Sequence, residues 1–370
     1  VSGTWSVGED AYAQTLRGEG SLTDKLVKLV LKEGTATLEG IRYTAVELLE
    51  RFLERVLWQV KKNLDTEAGF QELVFTVRSL DERLTEALYS CGEKLGVDRA
   101  RIRIIGHTEG LIYYMLSQKK EIWSGNVGLF DLSEQELRYY ELKVQRGLKQ
   151  NAVLAEFERI EESFSLDILE TPSGAKLGDK ILCTCAERLM QRKLYSAVFL
   201  MGKGFEKREW AEDFMKLLCT KRRVYMETAV FAKGAALCAA DRLRPQTSYP
   251  YAMICEGHLK ASVTMQVLHK GQDTAVTLAA AGDSWRESGG MLIPEKQNAV
   301  ELEITPFDSK KKRTVTLMLE NFPKRPEKTT RVRVEISFLD EKTMRIVLTD
   351  LGFGELFPAT GAKVVQEVML

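Results

Sequence analysis

Hydrophobic spacing changes once along this chain, near RLRPQTSYPY at residues 242–251, and that change limits the folds open to it. Upstream, apolar residues at helical spacing alternate with short β-branched runs; downstream, apolar and polar residues alternate with a period of two. In TAVELLERFLERVLWQVKK (44–62), Val46, Leu49, Leu53, Val56 and Val60 share one helical face and the charges take the other, which predicts a long amphipathic helix. ELVFTVRSL (72–80) reads as a strand, DERLTEALYSCGEKLG as a helix, ARIRIIG as a short strand and LIYYMLSQKK as a helix. NVGLFDLSEQELRYYEL (126–142) follows as strand, turn and strand, and helical spacing returns over 176–192. This alternation predicts an α/β domain with a largely buried sheet. Beyond the two prolines of the polar linker, HLKASVTMQVLHK, DTAVTLAA, NAVELEITPFD, RTVTLMLENF, RVRVEISFLD and KTMRIVLTD predict a β-sandwich or compact barrel of about six to eight strands. The expected domains are therefore residues 1–243 and 250–370.

Composition excludes several function classes. Lys+Arg and Asp+Glu balance at 53 each, so no global field would hold nucleic acid or an anionic membrane. Apolar content of 44% and charged content of 29% are those of a soluble globular chain. No apolar run has the length of a membrane span and VSGTWSVGED lacks the regions of a secretion signal, so a cytoplasmic location is expected. The chain starts at Val1 in what reads as the middle of a fold, as a piece of a longer protein would. Cys91, Cys183, Cys185, Cys219, Cys238 and Cys255 are scattered through mostly apolar segments and read as reduced core thiols. Cys183 and Cys185 face different sides of a helix, and His107, His258 and His269 lie far apart, so zinc is not expected.

One stretch carries a specific chemical suggestion. VFLMGKGFEKREWAEDFMKLLC (198–219) reads as an apolar strand, the turn Gly202-Lys203-Gly204 and then a helix. Glycines let backbone approach a ligand closely, and free amides at a helix start attract phosphate, so this is the layout of a nucleotide cradle. As the opening of a dinucleotide G-x-G-x-x-G it fails, because the third glycine is Lys207 and the acid at a plausible distance is Glu227.

The order of segments over the first 240 residues resembles the actin and seventy-kilodalton heat-shock chaperone superfamily. WSVGEDAYAQTL with SLTDKLVKLV is similar to the end of that family's first sheet, and FQELVFTVRSLDERLTEAL resembles its strand and helix V-T-V-P-x-x-F-x-D. IRIIGHTEGLIYYML resembles R-I-I-N-E-P-T-A-A-A-x-x-Y, and NVGLFDLSEQELRYYEL resembles the second phosphate loop V-L-x-F-D-L-G-G-G-T. The 198–219 stretch is similar to the adenosine motif, and VFAKGAALCAA to the helix after it. PEKTTRVRVEISFLDEKTMRIVLTD is similar, more loosely, to the closing strands of the chaperones' substrate-binding sandwich.

The resemblance implies an α/β, actin-like (ribonuclease H-like) ATPase fold, N-terminally truncated and followed by an all-β sandwich. It implies ATP or ADP with Mg2+ as cofactors. Gly202, Lys203, Gly204, Phe205, Gly234 and Ser133 would lie around the nucleotide, and Asp131 would hold the metal. Asp131, Glu109 and Lys25 would be the catalytic set. Several positions depart from the family. Its first phosphate hairpin would lie upstream of Val1, and in the second the glycines and threonine are replaced by Ser133, Glu134, Gln135 and Glu136. Two carboxylates flanking that turn, about 4 Å apart, would repel by roughly 4 kcal/mol at an effective dielectric near 20. His107 stands where the family has its glutamate, with Glu109 two residues on, and the polarising lysine has two candidates, Lys25 and Lys28. The chain between Tyr139 and Lys176 is shorter than the lobe that clamps adenine.

Each of these residues also has a structural reading. Asp131 would equally end a strand and cap a turn, Lys25 and Lys28 would be solvated helix charges, and His107 and Glu109 would satisfy amides at a helix start. Gly202 and Gly204 would shape the turn with or without a ligand, and Gly234 would serve close helix packing. Two functions follow: an ATP-binding, chaperone-like or actin-like protein with a nucleotide-linked conformational switch, or a degenerate pseudo-ATPase acting as a protein-interaction scaffold. The β-rich region would take a peptide or protein partner by strand addition. There Lys310, Lys311, Lys312 and Arg313 read as charges guarding a sheet edge.

Overall fold

The computed structural model describes residues 5–133, 136–146, 151–162, 164–220, 222–269, 272–292, 299–308, 311–319, 321–326 and 331–370. Glu134, Gln135 and Lys310 lie outside the described residues. The chain divides into two units, Val1–Tyr114 with Val230–Ser248, and Met115–Ala229 with Tyr249–Leu370.

The first unit begins with α1 (Glu9–Leu16) and α2 (Leu26–Leu31), then the hairpin β1 (Thr35–Leu38) and β2 (Ile41–Thr44). Its two-residue turn, Glu39-Gly40, has φ of 51° and 79°, the positive values that a primed hairpin turn needs. Next come α3 (Ala45–Asn63), β3 (Leu73–Val77), α4 (Glu82–Lys94), β4 (Ile102–Gly106) and the start of α5 (His107–Ser117). A capping box fixes the start of α3: the Glu47 amide donates to the Thr44 hydroxyl, and the Thr44 amide donates to the Glu47 carboxylate at 2.8 Å. Asp81 caps α4 by accepting from the amides of Arg83 and Leu84. Leu49, Leu84, Leu88 and Cys91 then bury against Val30 and Ile104, where the parallel pair β3 and β4 meets these helices.

The second unit contains β5 (Asn126–Ser133), β6 (Glu136–Gln145), β7 (Ala152–Arg159), α6 (Pro172–Met190), β8 (Tyr195–Met201), α7 (Glu212–Cys219) and β9 (Arg223–Met226). The next helix, α8 (Val230–Arg242), belongs to the first unit, and β10 (Ala252–Ile254) returns to the second. Six strands form one sheet in the order β10-β7-β6-β5-β8-β9. β5, β6 and β7 run as an antiparallel meander, while β8 and β9 extend it in parallel on the other side of β5. One face is covered by α6 and α7, whose Leu182, Cys185, Ala186, Phe214 and Leu218 pack on Phe130, Leu132, Val198 and Leu200. The segment expected to be a plain linker is ordered by Asp241, which accepts from the Thr247 hydroxyl at 2.6 Å and the Ser248 amide at 2.8 Å.

Among the described residues the second unit has eight further strands: β11 (Ala261–His269), β12 (Gln272–Ala279), β13 (Gly290–Leu292), β14 (Ala299–Pro306), β15 (Arg313–Met318), β16 (Val332–Phe338), β17 (Thr343–Asp350) and β18 (Lys363–Met369). They make two four-stranded sheets, β12-β11-β14-β15 and β13-β16-β17-β18. Val263, Met265, Leu302 and Ile304 from one and Val334, Ile336, Ile346 and Leu348 from the other share a single core, as a sandwich requires. No helix among the described residues is long and apolar enough to cross a membrane.

Candidate functional site

Parallel pairing sets the end of β8 beside the end of β5, with Met201 opposite Asp131. This brings Asp131, Ser133 and the Gly202-Lys203-Gly204 turn together. Gly202 adopts φ 97° and ψ 162°, a region that only glycine tolerates without strain. A Cβ on Gly202 would stand 2.3 Å from the Leu132 carbonyl oxygen, and one on Gly204 would stand 2.4 Å from the Leu132 side chain. The room these glycines leave is thus taken by the neighbouring strand. The Trp210 indole donates to the Gly204 carbonyl at 2.9 Å, and fully buried Phe205 stacks on both Trp210 and Phe214. Lys203 is exposed.

The helix after the turn differs from the layout its sequence suggests. A 3-10 turn, Lys203–Phe205, and residues 206–211 separate Gly202 from α7. Two of its first-turn amides are already taken. Asp179 on α6, itself buried, accepts from the amides of Asp213 at 3.0 Å and Phe214 at 2.8 Å. Glu212 and Asp213 add negative charge at the same end. A carboxylate from a neighbouring helix therefore already holds the position that a phosphate would take.

Asp131 is 3% exposed and accepts from the Ser133 hydroxyl at 2.5 Å. Across the hairpin it sits opposite Arg138. The repulsion expected of Glu136 is answered locally: Arg138 donates to it at 3.1 Å and Arg159 approaches it at 3.4 Å. Among the described residues, no group of three or more His, Cys, Asp or Glu side chains is arranged to hold a metal ion.

Glu109 and Gly234 meet in the first unit. Glu109, 3% exposed, pairs with Arg103 at 3.0 Å, and the His107 ring stacks on Phe231 at 3.8 Å. A Cβ on Gly234 would lie 1.9 Å from the Gly110 carbonyl oxygen, so the crossing of α5 and α8 depends on glycine at this point. Burial, reinforced by the charge of Glu109, pushes the Cys238 thiol up to about 11, and burial likewise raises the Tyr113 phenol. Lys25 caps α2 in the left-handed region at φ 55°, exposed to solvent, with its ammonium 3.6 Å from Asp24.

Sequence reasoning missed Leu132 and Trp210 beside the glycine turn and Asp179 at the start of α7. Asp179 lies in a different helix from the amides it binds, so no local spacing announces it. The Trp210 contact had a signal in GKGFEKREW, an aromatic pair flanking the turn.

Fold and site together define a class: a mixed α/β protein with a C-terminal β-sandwich, in which Gly202 and Gly204 lie against the neighbouring strand and Gly234 lies at a helix crossing. Residues 1–256 match the model of the family of unknown function DUF5716, C-terminal, and the chain belongs to that family. Residues 258–370 match a domain of unknown function, DUF8552. Among curated proteins, none matches the chain.

Proposed function

We propose that this chain is a pseudo-ATPase scaffold: it keeps an actin-like, ribonuclease H-like architecture, does not hydrolyse ATP, and offers its surfaces to a protein partner. The strand order supports the architectural half of this reading. An antiparallel three-strand meander continued by two parallel strands is the layout expected of a ribonuclease H-like lobe. One observation carries the functional half. The features a nucleotide would use around Gly202 are filled by the protein itself, the glycine hollow by Leu132 and the α7 amides by Asp179. The residues present around the turn therefore do not fit a bound triphosphate, and no step of hydrolysis is derived from them.

Calorimetry with ATP and ADP, with and without Mg2+, tests this reading on the protein as it stands. The expected result is no heat and no shift in melting temperature. Magnesium-dependent ATP turnover that disappears in Asp131→Asn would overturn it and restore the second reading, a nucleotide-linked switch. That second reading is supported by buried Asp131, bonded to half-buried Ser133 at the end of β5.

A partner that adds a strand would use a sandwich edge, at β12, β15, β13 or β18. The basic charges at the start of β15 are already engaged near that edge: Lys312, just before the strand, pairs with Glu303 at 2.7 Å, and Arg313 donates to the Met369 carbonyl.

A further inference from the structure

The stripe of α3 formed by Arg51, Arg55, Trp58 and Lys62, spaced four, three and four residues apart, faces away from the core built by Ala45, Leu48 and Leu49. Arg51, Arg55 and Trp58 of this stripe, together with Trp5 and Glu54, border a cavity of about 290 Å³, a size for a small ligand rather than a protein segment. Its chemistry is cationic and aromatic. The Arg51 guanidinium lies 5.0 Å from the ring centre of Trp5 and 5.5 Å from that of Tyr43. Arg55 lies over Trp58 at 4.3 Å, and the Lys62 ammonium approaches the same indole at 5.1 Å.

Rings hold these guanidinium groups in place while leaving their N–H donors unspent. Neither arginine forms an ion pair among the described residues, and the buried Nε of Arg55 has no hydrogen-bond partner there. Trp58 is 46% exposed, a large indole surface beside two positive charges. Glu54 is the one carboxylate among the described residues lining the cavity, and the charges of Arg51 and Arg55, which line it too, outweigh it.

We propose that this cavity is a binding site for a small aromatic oxyanion, with the phosphate or carboxylate on the Arg51 and Arg55 forks and the flat body against tryptophan. Fork geometry suits bidentate oxyanions, and an indole face suits a planar ring. The site lies in the first unit and is independent of the glycine turn and of the scaffold reading.

Titration calorimetry with phenyl phosphate, on the full chain, tests the proposal. Saturable binding is expected, at least tenfold tighter than for inorganic phosphate and at least tenfold weaker in R51Q/R55Q. Arg55→Lys, which keeps the charge and loses the fork, should fall between wild type and Arg55→Gln, and Trp58→Leu should weaken phenyl phosphate more than inorganic phosphate. Circular dichroism and melting curves of each variant separate lost binding from lost folding. The proposal is overturned by absence of saturable binding to the folded wild type, by unchanged binding in folded R51Q/R55Q, or by equal affinity for inorganic phosphate.

Discussion

Arg325 grips Asp350 through two parallel hydrogen bonds of 2.8 and 2.9 Å, with side chains 6% and 0% exposed at the end of β17. The same carboxylate accepts from the Gly352 amide, the Thr360 amide and the Thr360 hydroxyl, while Arg325 also donates to the Pro358 carbonyl. One ion pair therefore ties both stems of the loop between β17 and β18. Asp350→Ala should cost ~3–5 kcal/mol, because it strands a buried guanidinium. Urea unfolding measures this, and the double change Arg325→Met with Asp350→Leu should be markedly less harmful. A loss below about 1 kcal/mol in the single variant would count against the pair's structural weight.

The same contact gives stability a pH dependence. Burial alone opposes ionisation of Asp350, but the hydrogen bonds from Arg325, Thr360 and Gly352 outweigh it and hold the carboxyl well below the usual carboxylate range. With its folded value depressed, its contribution is complete above the unfolded value near 3.9 and is lost as pH falls through the folded one. Unfolding free energy should decline below about pH 4 in the wild type and more shallowly in Asp350→Asn. Parallel acid profiles would refute this assignment.

Gly202→Ala and Gly234→Ala should each destabilise by ~1–3 kcal/mol or more, since the added methyl meets backbone rather than a pliable side chain. At Gly202 the positive φ adds strain. Thermal melts of the two variants are the measurement, and wild-type stability in either would contradict the packing described.

Asp179→Ala should release the amides of Asp213 and Phe214 and cost ~0.5–2 kcal/mol, the worth of a helix cap. Hydrogen exchange should speed up at those two amides first. Equal acceleration across the six-stranded sheet would mean that the change acts globally instead.

Thiol reactivity should single out Cys219, the exposed one of six free cysteines. Cys91 and Cys238 are buried with thiols pushed up to about 11, chiefly by burial, so little thiolate is present at neutral pH. A colorimetric thiol reagent at pH 8 should modify Cys219 rapidly in the folded protein and the buried thiols after unfolding.

Period-two spacing made most of the sandwich legible. Val332 to Phe338 alternates buried and partly exposed residues at almost every step, and Thr343 to Asp350 does the same. Two strands escaped this signal: β13 has three residues, and β18 buries no residue fully, with only Val364 and Val368 half-buried against the core, so neither shows a strong contrast to read. β7 escaped as well, because its apolar residues crowd the first half, AVLA, and its charges the second, EFER. At the candidate site, the turn at Gly202 was legible in sequence and its neighbours were not. Leu132 meets it through strand pairing, and Asp179 meets the start of α7 through helix packing, contacts that no window of local sequence records. The α3 cavity was hidden differently: Arg51, Arg55 and Lys62 look like the ordinary solvent side of an amphipathic helix until Trp5 and Tyr43 are seen beside them.

β10 adds to the free side of β7 in parallel, three residues before the family boundary, and its Ala252 and Ile254 pack with Ala152, Leu154, Ala281 and Phe307. Two differently named domains are therefore stitched by one short strand and a shared apolar seam. Severing the chain at residue 257 would split that seam, baring Ala281 and Phe307 on the orphaned sandwich as a sticky scar. Tension applied to the sandwich would tug first on the border of the six-stranded sheet.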